Sequence, residues 1–165
     1  MRIPSLIGSL LLLLCWGSGC GKEIGDSCIV SSDCSADGDR VCIDTDTDHG
    51  GYCTVAGCDF DTCPDEAVCV RFFTGGFANK PCDPLAEDSG GTDDCSFDEL
   101  CSIAGSCVPR SSEVRFCMRK CDSDGDCRDK YECRDLQKMI DHGGEPVLDG
   151  RKVDESAPKF CAFSG

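Results

Sequence analysis

Imidazole and indole are almost missing from this chain, whose 165 residues include two His and one Trp. Neither His49 nor His142 has a nucleophile beside it in a recognised catalytic arrangement. The sequence has no Gly-x-Ser-x-Gly elbow and no phosphate-cradling glycine loop, so no enzymatic activity is expected. It also has no Cys-x-x-Cys, the tightest gap being the three residues between Cys117 and Cys121. That spacing argues against a thioredoxin-like redox centre and against a zinc ribbon. Basic residues are scarce too, 16 against 31 acidic ones, for a net charge of −15. A chain so acidic repels phosphate backbones and anionic headgroups, which excludes nucleic acid as a partner. An unknown protein with a basic patch, or a cationic surface ligand, fits that charge better.

Long apolar runs are missing as well. The longest, Leu6 to Trp16, rises about 16 Å as a helix, too little for a bilayer core of ~30 Å. With Arg2 ahead of it and Gly17-Ser18-Gly19 behind, it reads as an export leader. Residues 1–19 are therefore expected to be a signal peptide and 20–27 a tether. Ser18-Gly19-Cys20 resembles the last three positions of the lipobox of bacterial lipoproteins, with Gly17 where that motif usually carries Leu. The resemblance implies an acylated Cys20 as mature N-terminus and a lipid anchor as the only membrane attachment. Gly21, which is not Asp, then implies the outer membrane or cell surface. Ordinary cleavage and free secretion are the alternative, with Cys20 left as an odd thiol.

Cysteine is what the chain has in excess, 18 residues in all. Setting aside Cys15 in the leader and Cys20 leaves an even set of 16: Cys28, Cys34, Cys42, Cys53, Cys58, Cys63, Cys69, Cys82, Cys95, Cys101, Cys107, Cys117, Cys121, Cys127, Cys133 and Cys161. An even set in an exported chain predicts about eight disulfides. With eight Phe and two Tyr to build a core, covalent staples should dominate stability. The expected fold is small and disulfide-rich, with loop-dominated cysteine-rich repeats, short β-hairpins and at most one short helix.

The cysteines repeat. Cys34, Cys63, Cys95 and Cys127 are 29, 32 and 32 residues apart, and a second cysteine follows each, at Cys42, Cys69, Cys101 and Cys133. Asp33, Asp94 and Asp126 precede three of the leading cysteines, with Thr62 at the other. One grouping into fours runs 28, 34, 42, 53; 58, 63, 69, 82; 95, 101, 107, 117; and 121, 127, 133, 161, with Cys117 able to join either of the last two. Four cysteines allow three pairings, and the sequence does not choose among them. The pieces Ser32-Asp33-Cys34 through Cys42 and Cys121 through Cys133 resemble the Dickkopf N-terminal cysteine-rich region and cysteine-rich lipoproteins of predatory soil bacteria. Dickkopf-type modules carry an adjacent Cys-Cys pair that is lacking here, so receptor binding is not carried over. The lipoprotein likeness implies location rather than activity. N-terminal repeats over 28–82, a linker loop over 83–94 and C-terminal repeats over 95–165 are expected.

Strands are expected around Val41–Ile43, Val68–Phe73 and Val114–Phe116 from their β-branched and aromatic content. Asp149-Gly150 between Val147-Leu148 and Arg151-Lys152-Val153 signals a hairpin. A short helix is expected over 129–142, with Leu136, Met139 and Ile140 on one face and Gly143 stopping it.

Calcium is the one candidate cofactor. Asp44, Asp46 and Asp48 alternate as in the first half of an EF-hand loop, although His49 replaces the turn glycine and Val55 the bidentate Glu. Asp122, Asp124 and Asp126 form a second acidic cluster, resembling half of a thrombospondin-type calcium repeat. The apolar run Val70 to Phe77 is expected to fill the core of the second repeat. Together these features predict a surface-tethered, non-enzymatic binding or structural module. Its alternatives are a calcium-dependent adhesion or envelope protein, and a disulfide-rich protease inhibitor with a reactive loop at 72–79 or 83–94.

Overall fold

The computed structural model of the protein describes residues 21–43, 50–78, 80–86, 94–150 and 152–164. Its elements in chain order are β1 (Ser27–Cys28), α1 (Ser31–Cys34), β2 (Val41–Ile43), β3 (Gly51–Thr54), β4 (Ala67–Phe73), β5 (Glu99–Cys101), β6 (Cys107–Pro109), β7 (Glu113–Arg119), β8 (Tyr131–Arg134), α2 (Leu136–His142), β9 (Glu145–Pro146) and β10 (Phe160–Phe163). They form four small antiparallel sheets: β1-β3-β2, β7-β4-β9, β5-β6 and β10-β8. The longest ladder pairs β4 with β7 over seven residues, from Ala67 opposite Arg119 to Phe73 opposite Glu113. The chain is a small disulfide-rich, loop-dominated fold; among the described residues it has one α-helix of seven residues, one single α-helical turn, and 3₁₀ turns at Arg110–Ser112 and Asp124–Asp126.

All 16 cysteines from Cys28 onward are paired, in eight disulfides. The bridges Cys28–Cys42 and Cys34–Cys53 define a first unit, and Cys121–Cys133 with Cys127–Cys161 a fourth. Between them lie Cys58–Cys69 with Cys63–Cys117, and Cys82–Cys101 with Cys95–Cys107. Taken in order, each unit joins its first cysteine to its third and its second to its fourth. The grouping by sequence order is therefore corrected at two positions. Cys82 opens the third unit rather than closing the second, and Cys117 closes the second. The third unit is inserted whole into the second, between Cys69 and Cys117. Register explains the exchange: the ladder places Cys69 directly opposite Cys117, and the four cysteines between them in sequence pair among themselves.

One apolar core joins these units. Ile24, Tyr52, Val70, Met118, Tyr131, Met139 and Phe160 are all buried in it, and Phe72 packs against Phe116 and Phe160. Of the run Val70 to Phe77, Val70 and Phe72 thus enter the core, while Thr74, Gly75 and Gly76 are exposed, so the expectation holds only for its first part. The first and fourth units meet through the stacked rings of Tyr52 and Tyr131, 5.4 Å apart. The Arg128 guanidinium lies 4.2 Å from the Tyr131 ring centre and donates to the carbonyls of Gly50 and Gly51. The Tyr52 hydroxyl accepts the Arg119 amide at 2.9 Å, and burial pushes that phenol well above its ordinary pKa.

Two local expectations need correction. The helix begins at Leu136 rather than near 129, because Tyr131–Arg134 pair as strand β8 with β10. Asp135 caps it, accepting the Lys138 amide at 3.1 Å, and Gly143 ends it at φ +82°. No hairpin forms at Asp149-Gly150 among the described residues. The Val147 amide instead donates to the Cys69 carbonyl at 2.8 Å, so this arm continues β9 along β4.

Gly51 shows how tightly the staples bind the backbone. A Cβ there would fall onto the Cys42 sulfur, 2.8 Å from the Ile43 carbonyl oxygen and 3.1 Å from the Cys28 sulfur. A bridged sulfur has little freedom to move away. Gly51→Ala should therefore destabilise by about 1–3 kcal/mol, read as a lower urea midpoint at unchanged slope.

Candidate functional site

Each unit holds a loop between its first and second cysteines, fixed at both ends by disulfides. In the first unit Asp33 Oδ2 accepts the amides of Ile29 at 2.8 Å and Val30 at 3.1 Å. In the fourth, Asp126 Oδ2 accepts those of Asp122 at 3.0 Å and Ser123 at 2.9 Å. In the second, Thr62 Oγ1 accepts the Asp59 amide at 2.8 Å. The residue before the second cysteine thus closes the loop in all three. A further bond recurs: Ser31 Oγ accepts the Cys42 amide at 3.1 Å, and Asp124 Oδ1 the Cys133 amide at 2.8 Å. In both units the acceptor lies three residues after the first cysteine and the donor is the third. The Asp before the leading cysteines, visible as a sequence repeat, is therefore a turn-forming device.

These bonds set the protonation of the acidic loops. The amides of Ser123 and Asp122 hold the Asp126 carboxyl below the usual range, and those of Ile29 and Val30 do the same for Asp33. Asp124 is lowered chiefly by Lys138, whose ammonium lies 2.9 Å away, and then by the Cys133 amide. Of the candidate calcium ligands, Asp124 and Asp126 are thus engaged by internal donors, and Asp122 lies exposed in the same loop. Asp44, Asp46 and Asp48, like Cys20, lie outside the described residues. Sulfurs of Cys28, Cys34 and Cys53, and of three comparable triplets, cluster within 4.8 Å. Every one of them is bridged, and a disulfide sulfur is not the thiolate a metal requires.

A group whose folded pKa is depressed stabilises above its unfolded pKa, near 4, and loses that contribution as pH falls through the folded value. Both Asp33 and Asp126 are of this kind. The melting temperature should therefore fall with acidification below about pH 4, and Asp33→Asn with Asp126→Asn should flatten that limb. A limb as steep in the double variant as in the parent would show that these bonds do not carry it.

The loops also present apolar side chains that the sequence did not single out. Ile29 is 88% exposed and Val30 52% in the first unit, Phe60 is 45% exposed in the second, and Leu85 is 72% exposed in the third. These four stand between the first and second cysteines of their units, and the fully exposed Phe97 stands between the second and third cysteines of the third. Only the fourth loop, with Asp122 and Ser123 at the tip, is polar there. The readable signal is an apolar pair in a tight polar turn, Ile29-Val30 between Cys28 and Ser31-Ser32-Asp33, where no core is within reach.

Eight bridges over so small a core define a disulfide-rich module of the extracellular type, made in an oxidising compartment. No helix among the described residues is long and apolar enough to cross a membrane. No family model, curated protein or solved structure matches the chain.

Proposed function

We propose that this protein is a surface-tethered, non-enzymatic binding module in which disulfide-closed loops display apolar side chains to a partner. One observation carries the reading. Three of the four first-to-second cysteine loops hold exposed apolar residues: Ile29 and Val30, Phe60, and Leu85. Exposed apolar side chains on rigid loops lose little conformational entropy when they bind, which is the main cost such contacts must overcome. The tether reading rests on Ser18-Gly19-Cys20 after the apolar leader.

Intact mass of the membrane-extracted protein, with thiols blocked before reduction, tests the tether. The expected result is an N-terminus at Cys20 bearing acyl mass, with no blocked thiol. A lipid-free mass with one blocked thiol, or a disulfide-linked dimer, would contradict it. Ser at Ile29, Val30 and Phe60 tests display. These substitutions should leave the melting temperature unchanged while removing cross-links to partner proteins on intact cells. Cross-linking that persists unchanged would exclude the loops as the contact.

A further inference from the structure

The arm that follows β9 lies between two hollows, of about 220 Å³ and about 170 Å³, that share Val147 and Leu148 as a wall. The third unit closes the far side of the larger hollow with Leu85, Ile103 and Arg110, and the second unit lines the smaller one with Phe60, Asp61 and Asp65. Apolar side chains stand exposed at both ends of this strip. Leu85 is 72% exposed at the third-unit end, and Phe60 is 45% exposed at the other. Phe97, fully exposed, adjoins the third-unit end, where its carbonyl accepts Arg110 Nε at 3.3 Å.

The two ends carry opposite charge. Arg110 is exposed at the third-unit end. Arg71 in the same wall is matched by the buried Glu145, whose Oε2 lies 2.6 Å from its guanidinium, and Lys152 there is already engaged. Glu145 Oε1 also accepts the Ile103 amide at 2.8 Å, so one carboxylate holds the third unit against the arm and keeps the hollow in shape. At the second-unit end Asp61 and Asp65 are exposed, while Lys120 beside them donates to the Asp65 carbonyl at 3.0 Å.

Such a strip complements itself. Turned about a two-fold axis beside the arm, a second copy sets its Phe60 over the larger hollow and its Asp carboxylates over Arg110, and receives the same contacts in return. An apolar cavity of ~150 Å³ takes up benzene, so the larger hollow admits the Phe60 ring. At ~0.15 M salt, charges more than about 8 Å apart are largely screened. These local contacts, not the net charge of −15 on each chain, then decide whether two copies stay together.

We propose that two copies of this chain pair across the strip, each inserting Phe60 into the other's larger hollow and setting Asp61 and Asp65 against the other's Arg110. The proposal rests on the binding-module reading and names a second copy as the partner of Phe60 and Leu85.

The test is sedimentation velocity of the oxidised mature chain carrying Cys20→Ser, which removes the acyl group and the odd thiol as sources of association. At ~0.15 M salt the mass should rise from monomer to dimer between ~5 µM and ~500 µM, the range of a small interface, and go no further. Arg110→Asp, Asp65→Arg and Phe60→Ser should each weaken pairing about tenfold at unchanged melting temperature, since all three side chains are exposed. Combining Arg110→Asp with Asp65→Arg should restore it, because opposite charges then face each other across the axis again. Ile29→Ser with Val30→Ser should leave it unchanged. A chain that stays monomeric at ~500 µM, a dimer indifferent to Arg110→Asp, a charge swap that restores nothing, or growth beyond the dimer would each overturn the proposal. Sedimentation reads the purified chain alone, whereas cross-linking on cells reads the binding module. A monomer whose cross-links vanish in the Ile29, Val30 and Phe60 variant overturns the second copy and leaves the module standing; a dimer whose cross-links persist in that variant does the reverse.

Discussion

Reduction with dithiothreitol under otherwise native conditions should abolish the cooperative thermal transition and release the buried tyrosines to solvent. Each bridge contributes ~2–4 kcal/mol, so losing three or four removes the ~5–15 kcal/mol that a whole domain typically has in hand. The apolar core offers little compensation. Its large members are few, chiefly Tyr52, Tyr131, Met139, Phe160 and Ile24, and several strands are only two to four residues long. Near-ultraviolet circular dichroism and tyrosine fluorescence, recorded against added reductant, give the readout. A reduced chain that still melts cooperatively would show that packing, not the bridges, holds the fold.

The second large effect belongs to Cys63–Cys117, the bridge with the longest span, at 54 residues. Closing so long a loop restricts the unfolded chain by about 4 kcal/mol in the chain-entropy account, against about 3 kcal/mol for Cys58–Cys69, whose span is 11. Cys117 is fully buried, but Cys58 and Cys69 are buried too, so packing defects arise in both variants and loop closure sets the order. Cys63→Ala with Cys117→Ala should therefore lower stability more than Cys58→Ala with Cys69→Ala, measured by urea denaturation of both oxidised double variants. The opposite order would mean that the inserted third unit is held by its own contacts, such as Ile103 to Glu145, and not by the bridge that encloses it.

Much of this fold was legible because its signals are local. Val41–Ile43, the run ending at Phe73 and the stretch around Val114–Phe116 are strands, as their β-branched and aromatic residues predict. Gly143 stops the helix because φ +82° suits a residue without a side chain. What was not legible depends on partners far away in sequence. Tyr131–Arg134 can enter a helix or a strand, and only pairing with Phe160–Phe163 and the Cys121–Cys133 bridge make it a strand. Asp149-Gly150 has hairpin chemistry, but Val147 finds a better acceptor in the Cys69 carbonyl.

The cysteine grouping failed for the same reason. Nothing near Cys82 or Cys117 reveals that β4 and β7 are ladder partners, and that ladder decides which unit each joins. In the candidate site, the repeated Asp before the leading cysteines was visible as a pattern, while its work as an acceptor of loop amides was not. Exposure of Ile29, Phe60 and Leu85 was hidden too, since an apolar residue between two cysteines reads equally well as core.

Disulfide mapping of the oxidised chain tests the account most directly, by proteolysis without reduction, partial reduction and mass spectrometry. The central claim is four units of like pairing, one nested in another. It predicts Cys28–Cys42, Cys34–Cys53, Cys58–Cys69, Cys63–Cys117, Cys82–Cys101, Cys95–Cys107, Cys121–Cys133 and Cys127–Cys161. A bridge from Cys82 back to Cys58, Cys63 or Cys69, or one joining Cys117 to Cys95, Cys101 or Cys107, would contradict the nesting and the core built on it.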